Sequence, residues 1–278
     1  MVLLGGCENY GVVEVKASLP RILAEISGMT TIDNSGIYAV TDHGNPNHVY
    51  KINTSGEIIQ ELIVANAKNE DWEDLASDGN GNLYIGDFGN NDNGRKDQAI
   101  YTIRNIGQYT KTVDTVEAIA TRFTLGDQKE FPPETDNFNF DVEAFVFRNG
   151  MFHLFTRNRS QKDFNGKTKM YSIPADADNY VAEPVGDFFV CDKKYECAIT
   201  GAALSPDGKT LLMITTDKLI RFTGFRNGNF FGGNSDVIDL KHRSRKESVC
   251  FKNETTVYMS DERRAATGGN LYQFTLPE

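Results

Sequence analysis

Apolar positions along this chain come in paired short runs, with no sustained helical stripe. Five segments share one pattern: SGMTTIDNSGIYAVTDHG (27–44), WEDLASDGNGNLYIGDFG (72–89), VEAFVFRNGMFHLFTRNR (142–159), TGAALSPDGKTLLMITTD (200–217) and KESVCFKNETTVYMSDER (246–263). Each opens on a small or acidic residue, runs through an apolar strand, turns, and closes with a second strand ending in a polar residue. The turns carry Gly, Asn and Asp, which tolerate the backbone that tight hairpins require. A third strand follows each pair: HVYKI (48–52), AIYTI (99–103), KMYSI (169–173), KLIRF (218–222) and NLYQF (270–274), four of the five with Tyr at the same point. Repeat starts at Gly28, Glu73, Glu143, Gly201 and Glu247 lie 45, 70, 58 and 46 residues apart, the variation falling in the outer loops. TVEAIATRFTL (115–125) and PVGDFFV (184–190) predict fourth strands.

Five copies of a four-stranded unit at this period predict an all-β fold, a β-propeller of five blades. VVEVKA (12–17) is placed to complete the last blade and close the ring. A sixth blade is allowed only if 106–140 or the N-terminal region hides a degenerate copy. A β-sandwich competes, but it has no reason to repeat one hairpin five times. Residues 1–10 read as an N-terminal tail and 11–278 as a single propeller domain.

Composition agrees. The 278 residues are 39% hydrophobic and 24% charged, which suits a globular chain with a large core. The net charge of −10 repels phosphate backbones and argues against nucleic acid as a partner. No apolar run approaches the roughly 18 residues of a membrane span. Leu4-Gly5-Gly6-Cys7 resembles a bacterial lipobox, with Cys7 as the lipidation site. The apolar stretch before it is short and lacks a basic start, so either the natural start lies upstream or Cys7 is an ordinary cysteine in a tail. Cys191 and Cys197 flank DKKYE, close enough for a structural disulfide, with two free thiols as the alternative. Cys250, in the apolar run SVCF, reads as a buried thiol. These features predict an exported protein of the periplasm or outer cell surface, lipid-anchored if Cys7 is modified.

The chemistry lies in the carboxylates. With the turns as midpoints, Glu73 is expected opposite Asp87, Glu143 opposite Arg157 and Glu247 opposite Asp261, within one residue. Inner-strand starts surround a propeller's central channel. Glu73, Glu143 and Glu247 are therefore expected to converge there, with Asp42, Asp87 and Asp261 behind them. Asn69-x-Asp71-x-Glu73 and Asn139-x-Asp141-x-Glu143 place further oxygens at period two. Two carboxylates about 6 Å apart repel by roughly 3 kcal/mol at an effective dielectric of 20, and three such pairs would consume most of a domain's stability. They must hold protons, be spread by water, or bind a cation. An all-oxygen donor set suits Ca²⁺ better than Zn²⁺, so calcium is the expected cofactor. The alternative is a wet acidic channel with Arg157 as partial counter-ion.

The motif E-x-[LF]-A or E-A-F at an inner-strand start, followed by [LI]-Y-x-x-[ST]-D, resembles bacterial secreted propellers of the SdiA-regulated and esterase-like-phytase type. It is similar, more distantly, to gluconolactonase/paraoxonase-like propellers, which hold a catalytic Ca²⁺ at the channel mouth. The resemblance covers the five hairpins and implies acidic channel positions at Glu73, Glu143 and Glu247. Blades one and four depart from it, offering Ser27-Gly28 and Thr200-Gly201.

Other residues carry paired readings. His43 is a general base toward a cation-held water, or an exposed loop histidine. Arg157, Arg159, Arg263 and Arg264 are grips for a ligand carboxylate or phosphate, Arg157 alternatively a counter-ion to Glu143. Trp72 stacks on a sugar ring, or fills the core between blades. His153 reads as core or channel wall. No Gly-x-Ser-x-Gly elbow, phosphate loop or dinucleotide fingerprint is present. Two function classes follow: an envelope module binding a small molecule, carbohydrate or envelope protein, and a calcium-dependent hydrolase of lactones or phosphoesters.

Overall fold

The computed structural model describes residues 9–10, 13–33 and 35–278, so Cys7 and the lipidation reading lie outside the described residues. The strands form five sheets in a ring, a five-bladed β-propeller. From the channel outward, blade 1 consists of Ile26–Thr30, Ile37–Thr41, His48–Ile52 and Ile58–Val64, and blade 2 of Trp72–Ser77, Leu83–Asp87, Ala99–Ile103 and Ile119–Leu125. Blade 3 is Asp141–Arg148, Met151–Arg157, Lys167–Pro174 and Pro184–Phe189; blade 4 is Gly201–Leu204, Thr210–Ile214, Lys218–Thr223 and Asn234–Asp239. Blade 5 takes Lys246–Asn253, Thr256–Asp261 and Asn270–Thr275 from the C-terminal end and Val13–Ser18 from the N-terminal end, closing the ring.

Both faces of each blade are buried against a neighbour, which is why the inner strands read as nearly continuous apolar runs. Five apolar clusters result, one per blade interface. Trp72, Leu75 and Ile85 pack on Val40 and Leu62 between blades 1 and 2. Phe145 and Phe152 pack on Phe88 and Phe123 between blades 2 and 3. Trp72 has no exposed surface, and its indole N–H donates to Lys68 O at 3.1 Å. It is the core residue of the paired reading, and its burial removes it from ligand stacking.

Two features of the sheets are absent from the sequence pattern. Val113–Val116 and Asn179–Ala182 pair in parallel with the outer strands of blades 1 and 2, which accounts for the two long repeat spacings. The inner strands also carry β-bulges at Ser27, Glu73, Glu143 and Glu247. The facing pairs are consequently Trp72 with Asp87, Asp141 with Arg157, and Lys246 with Asp261. The Glu73 and Glu247 pairings thus hold within the one residue allowed, and Glu143 is displaced by two. Equivalent to the three glutamates are Ser27 and Thr200, one position before the Gly28 and Gly201 of the sequence alignment.

Candidate functional site

A bulge leaves one residue out of the ladder and re-aims its side chain. Here the extra residues sit at the top of the central channel. In blades 1 and 4 the slot holds a hydroxyl that bonds to the next blade's backbone: Ser27 Oγ donates to Trp72 O at 2.6 Å and Thr200 Oγ1 to Lys246 O at 2.7 Å. In blades 2, 3 and 5 it holds Glu73, Glu143 and Glu247, all deeply buried. Burial, then the charge of Glu143, pushes the pKa of both Glu73 and Glu247 well above the carboxylate range. The structure thus brings these three side chains into one electrostatic neighbourhood.

Their partners differ. Glu143 Oε1 accepts from Arg157 Nη1 at 3.2 Å and Arg159 Nη2 at 2.6 Å. Burial raises its pKa to about 7, against the pull of those guanidiniums. Arg159 also holds Asp141, whose other oxygen accepts the Asn90 N–H at 2.6 Å. Glu247 has a more distant guanidinium, Arg245 at 3.6 Å, which also pairs with Glu262 at 3.2 Å. Asp87 accepts from Arg95 Nη1 at 3.1 Å and from the Asp71 N–H at 3.0 Å. Asp261 accepts from the Asn270 N–H at 2.9 Å and the Tyr272 hydroxyl at 2.7 Å. Asp87, Asp141 and Asp261 therefore serve as loop and strand anchors, each already occupied by protein donors.

Asp42, Asp71 and Glu73 are different. One oxygen from each lies within 4.8 Å of the others. Asp71 is 7% exposed, and its Oδ1 is buried with no hydrogen-bond partner. Burial, then the neighbouring Asp42, lifts its pKa to about 8. Gly89 closes the back of the set: a Cβ there would lie 2.3 Å from Glu73 Oε1 and 2.4 Å from Asp71 Oδ2. Only glycine lets the backbone approach these oxygens so closely. Three converging oxygens and an orphaned buried acceptor fit a hard cation. The fit lies off the axis, between blades 1 and 2, and not among three glutamates around it.

The remaining candidates separate by their contacts. His43 is exposed, with its N–H on Asp42 Oδ1 at 2.5 Å and its ring Nδ1 2.7 Å from Glu70 O. A carbonyl can only accept, so Nδ1 carries the proton and Nε2 presents a lone pair. Arg157 has no described partner besides Glu143, leaving further N–H groups toward the channel. Arg263 is committed to structure: its Nη2 donates to Leu19 O at 2.7 Å, Ser18 Oγ at 3.2 Å and Gly269 O at 3.4 Å. That removes it from the ligand-gripping set. Arg264 pairs with Glu262 at 3.2 Å. His153 is buried, bonded to Ser172 Oγ at 2.8 Å, its pKa pushed down to about 4 by burial. Cys191 and Cys197 form a disulfide with Cα atoms 5.3 Å apart, and Cys250 is buried and unpaired.

Sequence reasoning missed two buried ionisable groups. Asp74 lies beside Glu73 but faces the axis, where backbone N–H groups take it. Lys246 is wholly buried, its Nζ within 3.1 Å of Thr216 O, His242 O, His242 Nδ1 and Ser244 Oγ, and burial lowers its pKa to about 8. Its position, equivalent to Trp72, was the available signal: a charged residue in a core slot must find acceptors in the loops above.

No helix among the described residues is long and apolar enough to cross a membrane. No protein-family profile and no curated protein matches the chain in sequence. Solved structures match it in fold. The chain is similar to the PQQ-bound aldose sugar dehydrogenase of Streptomyces coelicolor, with 11% identity, 95% of this chain and 97% of that one covered, and a TM-score of 0.54. Further likenesses are to a gluconolactonase of Xanthomonas campestris (13% identity, 95% and 89% covered, TM-score 0.48) and the Malassezia sympodialis allergen Mala s 1 (15%, 99% and 81%, TM-score 0.47). The likeness to the dehydrogenase is one of fold, and the fold is the β-propeller.

Proposed function

We propose that this chain is a calcium-binding propeller of the cell envelope that holds a small molecule, carbohydrate or envelope protein at its acidic channel mouth. The observation carrying this reading is the buried, unpartnered Asp71 Oδ1 within the Asp42–Asp71–Glu73 set. A cation held there would supply positive charge toward a ligand oxygen. Arg157, with N–H groups to spare, would orient the ligand from the blade 3 side. The Cys191–Cys197 disulfide supports an oxidising, exported setting. The acidic inner-strand starts support the more specific likeness to SdiA-regulated and esterase-like-phytase propellers.

The test is a calcium titration followed by thermal melting. At a hundred times Kd, binding should stabilise the protein by about 2.7 kcal/mol, or roughly 5 °C in Tm. Asp71→Asn should abolish that shift. Wild-type protein whose melting ignores millimolar calcium would defeat the proposal.

The His43 geometry favours a second reading, hydrolysis. With Nδ1 tied to Glu70 O, Nε2 can take a proton from water beside Asp42. Lactone and phosphoester assays with and without chelator test this. Turnover that persists in the Glu73→Gln, Glu143→Gln double variant rules the mechanism out.

A further inference from the structure

Below the acidic mouth the channel is closed on its axis and then opens again. The closure is Asp74, fully buried: its Oδ1 accepts the Leu75 N–H at 2.8 Å, and its Oδ2 accepts those of Phe145 at 3.1 Å and Ala202 at 3.3 Å. Leu75, Phe145 and Ala202 are equivalent positions in blades 2, 3 and 4. An inner strand pairs on one side only, so its other edge turns alternate N–H groups into the channel. At this level the channel wall binds a carboxylate.

N–H direction repeats every second residue in a strand. The next set down comprises Ser77, Phe147 and Leu204, with Thr31 and Phe251 in blades 1 and 5. All five line a cavity of about 850 Å³ at the hairpin-turn end of the channel. Two of the carbonyls on these edges are already engaged: Thr31 O accepts from Ser77 Oγ at 3.0 Å and Phe251 O from Thr31 Oγ1 at 2.6 Å.

Arg148 and Lys252 directly follow Phe147 and Phe251 and line the same cavity. Neither has a carboxylate partner among the described residues. Arg148 donates to Gly208 O and lies over the Phe225 ring at 5.2 Å. Lys252 donates to Gln273 Oε1 at 3.2 Å and lies over Tyr258 at 5.7 Å. The aspartates of the wall are engaged by their own turns: Asp33 accepts the Ser35 N–H at 2.8 Å, Asp78 the Asn80 N–H at 2.8 Å and Asp207 the Lys209 N–H at 3.0 Å.

We propose that this lower cavity binds a small monocarboxylate, its carboxylate on the Phe147 and Leu204 N–H groups between Arg148 and Lys252. Asp74 is the internal precedent, the same group on the same two strands one period higher. The three wall aspartates disfavour a multiply charged anion such as phosphate. The volume falls within the roughly 300–1,000 Å³ of small-molecule pockets.

The probe is 4-phenylbutyrate, with its neutral amide and inorganic phosphate as comparisons, followed by amide nitrogen–proton NMR. The carboxylate should shift the Phe147 and Leu204 amide protons downfield, equally with and without calcium. The Arg148→Gln, Lys252→Gln double variant should weaken carboxylate binding about tenfold and leave the amide's unchanged. Unmoved amides at millimolar probe, equal shifts from the neutral amide, or a preference for phosphate would each overturn the assignment.

Discussion

A carboxylate buried beside two others needs a positive partner, and Asp71 has no ion pair among the described residues, Arg95 acting on it only from a distance. Its pKa of about 8 says that, without a cation, the folded protein keeps a proton there that the unfolded chain releases near pH 4. Between those values the unfolded state binds fewer protons, so stability must fall as pH rises. The Tm of the calcium-free wild type relative to Asp71→Asn should therefore decline from pH 5 to pH 8, a difference in which the titrations of Glu143, His153 and Lys246 cancel. A cation replaces the proton, so the calcium-induced rise in Tm should grow across the same range. Asp71→Asn, which carries no charge, should raise the calcium-free Tm at pH 8. A difference from Asp71→Asn that stays constant or climbs between pH 5 and pH 8 would show that Asp71 is ionised and otherwise satisfied.

The hairpin is the element that made the fold legible. Alternating apolar residues and Gly- or Asn-bearing turns are local signals, and five of them in series specify blades whatever the outer loops do. The bulge is silent by comparison. One unpaired residue at Glu73 or Glu143 leaves the apolar pattern intact while shifting every partner beyond it, by one residue for Glu73 and by two for Glu143. The acidic cluster was likewise legible as a concentration of charge, but its division was not. Arg95 neutralises Asp87 from a loop, and Arg159 reaches both Asp141 and Glu143; such contacts depend on tertiary placement. Close packing of inner strands has its own test at Gly28, where a Cβ would lie 2.6 Å from Asp74 Cα and 2.7 Å from Leu75 N. These are backbone atoms that cannot swing aside. Gly28→Ala should cost about 1–3 kcal/mol, read as a lower Tm. Gly107→Ala, with nothing within 4 Å of its Cβ, should stay within about 0.5 kcal/mol of wild type.

At the scale of the molecule, five interfaces make a ring, and the ring holds only if its ends meet. Closure rests on Val13–Ser18 pairing with Asn270–Thr275, on Val13 in the cluster between blades 4 and 5, and on Leu19 and Leu23 in that between blades 5 and 1. Arg263 fastens the seam, reaching Ser18, Leu19 and Gly269 from the loop that ends the second strand of blade 5. The proposed cation set draws on blades 1 and 2, and the hydrogen bonds of the Arg263 side chain reach none of its residues. Stability and cation binding should therefore separate. Arg263→Ala removes donors from half-buried acceptors and should cost about 1–3 kcal/mol, lowering Tm by several degrees. The calcium Kd measured on the folded variant should match wild type. A variant with unchanged Tm and weakened ligand capture would return Arg263 to the recognition face and move the closure of the ring onto strand pairing and apolar packing alone.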